Sequence, residues 1–301
     1  MANEIYSKSW WGKGACNSIG WGIIYKAFAG CEPPVLLLDE YSGAAAAYSL
    51  RKLSSTTTNV VRVRRSSDNA ELDFTATDIT DGTLTTWTGA NDGFVTVWYD
   101  QSGNAYNVTQ TTAGNQPKIV DIGSVILENG KPAVEFDGSN DGLENTSGDV
   151  IATNAANSVL VVGRNISIVN FQNIIWAKNV IRLITAASAA FIDFSIFNTS
   201  GGVARYPLSN IPNFTQYLLS IYWDGVGTAS TDYSIYGDNS LLTTTGTVSG
   251  ATPTTFSVGY RNDNSTQYWN GRMQELIIYP SDNSSNNIGM NTNINDFYSI
   301  Y

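Results

Sequence analysis

Carboxylates must carry any acid–base catalysis in this chain, because its 301 residues include no histidine. Ser-His-Asp and Cys-His nucleophilic arrangements, histidine general bases and every His-containing zinc or iron site are thereby excluded. The acids that stand out are Glu135, Asp137 and Asp141. Asp137, Asn140 and Asp141 share the short run Asp-Gly-Ser-Asn-Asp, and a tight turn that gathers such oxygens is one way to hold Ca2+. An Asx-rich turn with no metal is the other reading of the same residues.

A second group could bind sugar. Trp98-Tyr99-Asp100-Gln101-Ser102-Gly103-Asn104 sets two aromatics beside an acid, two carboxamides and a glycine turn. An aromatic face stacks on a sugar ring while the polar groups bond its hydroxyls. Trp98, Tyr99, Asp100, Gln101 and Asn104 are therefore carbohydrate candidates, with Trp269 of Trp269-Asn270-Gly271 as another. Strand alternation turns only one of Trp98 and Tyr99 outward, and a core strand running into a structural turn is the alternative. Arg62 and Arg64 share a strand face, with Arg65 on the other. They suit an acidic sugar or, equally, carboxylates on neighbouring strands.

The elements that must position these residues read as an all-β, two-sheet antiparallel jelly-roll sandwich. Charged residues make up only 14% of the chain while Ser, Thr, Asn and Gly abound, which favours short strands and polar turns. Strands are expected at 60–65, 94–99, 125–128, 133–136, 158–163, 173–177, 191–197, 217–223, 232–236, 255–260 and 273–279. Turn signals such as Asn129-Gly130, Asp137-Gly138 and Asn270-Gly271 separate several of them. The alanine-rich stretch near residues 43–54 predicts one short helix. A short C-terminal helix is expected after Ser281-Asp282, with Ile288, Ile294 and Phe297 on its inner face. Asn-X-Ser/Thr triplets at Asn107, Asn145, Asn165 and elsewhere read as polar composition rather than glycan acceptors.

Residues 1–34 differ from the rest. Trp10, Trp11 and Trp21 lie among glycines, and Pro33-Pro34 closes the segment. So short a stretch cannot bury three indoles alone, so it is read as an arm that anchors on a partner or straps onto its own domain, 35–301. Cys16 and Cys31 bracket it, either free or bonded to each other. The start of the chain has no continuous apolar run of the kind an export signal needs. No apolar run approaches the roughly 20 residues of a membrane helix. With 16 basic against 26 acidic residues the formal charge is −10, which argues against nucleic acid as a partner.

Several blocks carry a family resemblance. Ala45-Ala46-Ala47-Tyr48-Ser49-Leu50-Arg51-Lys52-Leu53, then Val61-Arg62-Val63-Arg64-Arg65-Ser66-Ser67-Asp68, then the run 98–104 occur in the same order in the fungal B-type α-L-arabinofuranosidases, whose catalytic domain this chain resembles. Pro132-Ala133-Val134-Glu135-Phe136-Asp137-Gly138-Ser139-Asn140-Asp141, with Trp269 to Tyr279, is similar to laminin-G-like domains of surface and phage proteins of Bacteroidetes-type bacteria. The resemblance implies a concanavalin A-like jelly roll over most of residues 38–301. It would also imply a retaining hydrolase with two carboxylates about 5 Å apart. Neither catalytic carboxylate of that family finds a match here, and its adjacent cysteine pair is missing.

The opening Met-Ala-Asn-Glu-Ile-Tyr-Ser-Lys-Ser-Trp-Trp-Gly looks like the start of bacteriophage structural proteins. The combined expectation is a non-enzymatic virion spike, fibre or decoration protein, a homo-oligomer and most often a trimer. Residues 1–34 would attach it to other virion proteins while the jelly roll meets a host surface glycan, with no cofactor other than a possible Ca2+. The alternatives are a glycoside hydrolase or extracellular lectin, and a purely structural module.

Overall fold

A computed structural model describes residues 35–148, 150, 155–167, 172–177, 181–186, 191–195, 204–207, 215–226, 233–241, 256–261 and 267–301. Trp10, Trp11, Trp21, Cys16 and Cys31 lie outside the described residues.

Helix α1 (Leu37–Glu40) leads into β1 (Ala46–Ser49), then β2 (Val61–Arg65) and β3 (Glu71–Phe74). Two short helices, α2 (Ala76–Thr80) and α3 (Thr83–Thr88), precede β4 (Gly93–Trp98), β5 (Val108–Thr109) and β6 (Lys118–Asp121). Next come β7 (Ser124–Val125), β8 (Leu127–Glu128), β9 (Lys131–Pro132), β10 (Val134–Asp137) and β11 (Leu143–Asn145). The long strand β12 (Asn157–Ser167) is followed by β13 (Gln172–Ala177), β14 (Ile181–Ala186), β15 (Phe191–Ser195) and β16 (Ala204–Pro207). The chain finishes with β17 (Tyr217–Trp223), β18 (Tyr233–Gly237), β19 (Ser240–Leu241), β20 (Phe256–Val258), β21 (Asn270–Tyr279) and helix α4 (Asn287–Tyr298).

The pairings are antiparallel and make two layers, as the sequence predicts. One layer runs from β1 and β10, both on one edge of β21, through β12 and β17 to β18 and β19. The other runs β3, β2, β4, β5, β11, β20, β13 and on to β16. Strand β6 joins them, bonded to β4 on one side and β10 on the other. Between the layers lies a core containing Tyr48, Val63, Trp98, Phe136, Val161, Leu219, Phe256 and Trp269.

The central strands of the first layer, β12, β17 and β21, are buried on both faces over most of their length. Val159, Val161, Leu276 and Ile278 point into the main core, while Leu160, Val162, Ile277 and Tyr279 meet a second cluster under α1 and α4. This explains the uninterrupted apolar runs of β12, β17 and β21, since alternation appears only where one face is solvated.

Three expectations are corrected. The alanine-rich segment 43–54 is no helix: Ala46–Ser49 pairs with Ile278–Glu275. Residues 44–50 are all buried, and small side chains let this strand fit between Tyr279, α4 and the core. Tertiary pairing overrides the helical propensity of alanine. Helices α1, α2 and α3 are not among the expected elements. Thr75 caps α2 reciprocally with Asp78, a capping box legible in Thr75-Ala-Thr-Asp78.

At the C-terminus the predicted helix forms, but its buried face differs. Met290, Ile294 and Tyr298 are buried, Ile288 is exposed and Phe297 half-buried. Polar residues hid the true face. Asn291 accepts a hydrogen bond from Ser220 at 2.6 Å, and Asn287 one from Tyr222 at 2.9 Å. Asn145 and Asn165 are likewise buried, which fits the compositional reading of their triplets.

Candidate functional site

The aromatic-acidic run 98–104 is first of all a clamp on β1. Trp98 is fully buried at the end of β4, packed 6.0 Å from Tyr48, and offers no face to a ligand. Asp100 accepts from the Ala47 and Ser102 N–H groups through Oδ1, at 2.8 and 2.9 Å. Its Oδ2 accepts from the Ser102 hydroxyl at 2.7 Å and the Tyr106 N–H at 3.0 Å. A carboxylate has about four lone-pair positions, so these four bonds leave none for a sugar hydroxyl.

Gln101 is equally committed. Its Oε1 accepts the Leu53 N–H at 2.8 Å, and its Nε2 donates to the Ser49 and Arg51 carbonyls at 2.9 and 3.0 Å. Asn104 is exposed, but its amide donates to the carbonyls of Ala44 and Ala45 at 3.1 and 3.0 Å. Together these side chains supply polar partners to the segment 44–53, of which 44–50 and Leu53 are buried.

Tyr99 is different. It is half-buried on the outer face of its layer, as alternation from Trp98 demands, and its hydroxyl donates to Asp73 Oδ1 at 2.7 Å. Asp73 is itself held by a bidentate pair with Arg62, at 2.6 and 3.0 Å. That guanidinium bond keeps the Asp73 carboxyl below its usual range, while burial and then Asp73 push the Tyr99 phenol up to about 12. The ring is thus fixed and neutral at physiological pH.

Beside Tyr99 lies a recess of about 300 Å3, lined by Thr56, Thr57, Thr58, Asn59, Tyr99, Asp100, Gln101 and Gly103. The stretch Thr56-Thr57-Thr58-Asn59 joins α1 and β1 to β2 and was not singled out from sequence. Its signal is four consecutive neutral hydrogen-bonding side chains just before the apolar Val60-Val61. The Thr57 hydroxyl is buried with no hydrogen-bond partner.

The arginines of β2 go three ways. Arg62 pairs with Asp73, Arg65 pairs with Asp68 at 2.6 Å, and Arg64 meets neutral acceptors on Gln116, Asn69 and Ala113. Arg62 and Arg65 follow the pairing alternative rather than waiting for an acidic ligand.

The turn 137–141 behaves as an Asx turn. Asp137 Oδ1 accepts the N–H groups of Ser139 and Asn140, at 2.7 and 3.2 Å, and the Asp137 N–H donates to Asp141 Oδ2 at 3.0 Å. Asp137 and Asn140 are exposed and Asp141 is buried. Burial, helped by Asp137 and Glu135, pushes the Asp141 carboxyl up to about 7. Asp137 and Asp141 thus each accept backbone N–H groups within the turn. Among the described residues, no group of three or more His, Cys, Asp or Glu side chains is spaced to hold a metal ion.

Trp269 and Glu135 are also placed by the fold. Trp269 is fully buried against Phe136, its indole donating to Asn165 Oδ1 at 2.8 Å. Glu135 pairs with Arg272 at 2.7 Å across β10 and β21.

No protein-family model matches the sequence, and no curated protein matches it. Solved structures do. The chain is similar to a GH54 α-L-arabinofuranosidase soaked with a cyclic sulfate inhibitor, at TM-score 0.62 and 18% identity. An arabinofuranosidase complexed with arabinofuranosyl-α-1,2-xylobiose gives 0.58 and 18%. A mutant GH54 enzyme soaked with 4-nitrophenyl α-L-arabinofuranoside gives 0.62 and 17%. Each likeness covers 87% of this chain, which spans 64% of the length of those enzymes. At such identity the likeness defines the fold, an antiparallel β-sandwich shared with arabinofuranosidases. Among the described residues no helix is long and apolar enough to cross a membrane.

Proposed function

We propose that the protein is a carbohydrate-binding β-sandwich that recognises glycan without hydrolysing it. The observation that supports this is the environment of the recess: Tyr99 is presented as a fixed, half-exposed aromatic wall, while the adjacent acids Asp100 and Asp73 are bound to internal partners. Glycoside hydrolysis needs one carboxyl kept protonated and another free to attack or to activate water across the same bond. Asp73 is held ionised by Arg62, and both oxygens of Asp100 are engaged.

The setting we propose is a bacteriophage particle, with the protein acting as spike, fibre or decoration for host attachment. This part rests on the Trp-rich sequence of residues 1–34, read as an arm that binds other virion proteins, and on an expected homo-oligomeric, trimeric assembly. Deleting residues 1–34 tests it: the truncated chain should fail to enter particles, and normal incorporation would remove the arm's role.

A second reading is an arabinofuranosidase-like hydrolase, favoured by the shared fold. A glycan array of bacterial-surface and plant polysaccharides, run with and without calcium and followed by assay of released sugar, separates the readings. Selective binding without release supports the proposal, sugar release supports the hydrolase, and silence on every glycan leaves a purely structural module.

A further inference from the structure

We propose that the recess beside Tyr99 is a subsite for a neutral sugar ring, an assignment that rests on the carbohydrate-binding reading and gives it a place and a ligand class. Its volume of about 300 Å3 is at the lower end of the range that holds small ligands. Tyr99 stands on one side of it, and its ring is restrained because its hydroxyl is tied to Asp73 and Asp73 to Arg62. Sugar faces pack on such rings through their C–H groups, and stacking is strongest when the ring is held in place beforehand.

The opposite wall is polar and uncharged. Thr58 and Asn59 stand on it, and a hydroxyl and a carboxamide can each donate to and accept from a sugar hydroxyl.

Charge sets the class. Asp100 is the one charged residue among those lining the recess, and with its oxygens saturated it can repel an anion but not bond a hydroxyl. Asp39 lies close by, accepting from Ser54 and Ser55 in the turn that leads to Thr56. The formal charge of −10 adds to that field. Neutral pentose or hexose units fit this environment; uronic, sialic and sulfated sugars do not.

The test uses the full chain. A panel of neutral and acidic oligosaccharides is screened, and the tightest neutral one is titrated calorimetrically against wild type, Asn59→Ala, Tyr99→Phe and Tyr99→Ala. Asn59→Ala removes a polar group from the wall opposite Tyr99 and should weaken binding about 10-fold with little change in the unfolding temperature. Tyr99→Phe keeps the stacking face, losing only the tether to Asp73, and should stay within about 3-fold of wild type, whereas Tyr99→Ala should lose binding by about 30-fold or more. Lost affinity in Asn59→Ala at an unchanged unfolding temperature separates a binding role from a folding one. Unchanged affinity in Asn59→Ala and Tyr99→Ala would move the site elsewhere and leave the carbohydrate-binding reading intact. Binding confined to acidic sugars would overturn the ligand class, and no binding to any sugar would overturn both.

Discussion

The Asp100 carboxylate accepts the backbone N–H of Ala47 at 2.8 Å, joining the turn after β4 to the middle of β1. Three more donors, from Ser102 and Tyr106, converge on the same side chain. Replacing it by asparagine puts an NH2 group where one pair of donors points. Asp100→Asn should therefore lower the stability by about 1–3 kcal/mol. Urea unfolding followed by tryptophan fluorescence measures it, and an unchanged midpoint would mean that β1 is held without this clamp.

Arg51 and Glu275 form a bidentate pair at 2.7 and 2.9 Å, with Glu275 fully buried. Ser49 and Tyr298 bond the same carboxylate, and Phe297 lies 5.1 Å under the guanidinium. This network ties α4 to β1 and β21. Arg51→Met strands a buried charge and should cost about 3–5 kcal/mol, whereas Arg51→Met combined with Glu275→Leu should recover much of that loss. A double variant no more stable than the single one would show that the pair itself, not the stranded charge, supplies the stability.

Asp141 gives the protein a pH dependence of unusual sign. Its carboxyl is pushed up to about 7 by burial and by Asp137 and Glu135, opposed by the Asp137 N–H and Lys118, against an ordinary 3.8. The folded state holds this proton more tightly than the unfolded one. The resulting stabilisation is complete below about pH 4 and lost as pH rises to about 7, at most about 4 kcal/mol. Asp39, Asp73 and Asp92, whose pKa values are lowered, act in the opposite direction at lower pH. The wild-type minus Asp141→Asn stability difference should thus fall between pH 4 and 7 in chemical denaturation. A flat difference would mean that Asp141 is ionised in the folded protein throughout.

Gly259 has φ +85°, and a Cβ there would stand 2.3 Å from the Phe136 ring. Gly259→Ala should cost about 2–5 kcal/mol, from left-handed backbone strain together with overpacking of the core. Thermal unfolding measures it. A loss under about 0.5 kcal/mol would show that the Phe136 ring has room to move aside.

Alternation and turn chemistry made the sandwich legible. Tyr217–Trp223 is a strand over the range that its apolar run indicates, and the outward Tyr99 beside inward Trp98 follows from period-two alternation. The candidate site was half legible. Tyr99 was named, but Asp100, Gln101 and Asn104 carry the same residue types whether they bond a sugar or a strand. Only the position of β1 decided between those uses. Thr56 to Asn59 carry no distinctive pattern, because short hydroxylated residues are common in turns.

What the sequence by itself determined is the all-β class, the absence of histidine chemistry, the acidic surface and the C-terminal helix, since each follows from composition or local periodicity. The tertiary structure alone decided that the alanine-rich segment is a strand, that Trp98 and Trp269 are core residues, and which acids are spent on internal bonds. Those outcomes depend on partners far away in the chain, such as Ala47 with Asp100 or Ser49 with Glu275, and local pattern carries no record of distant pairing.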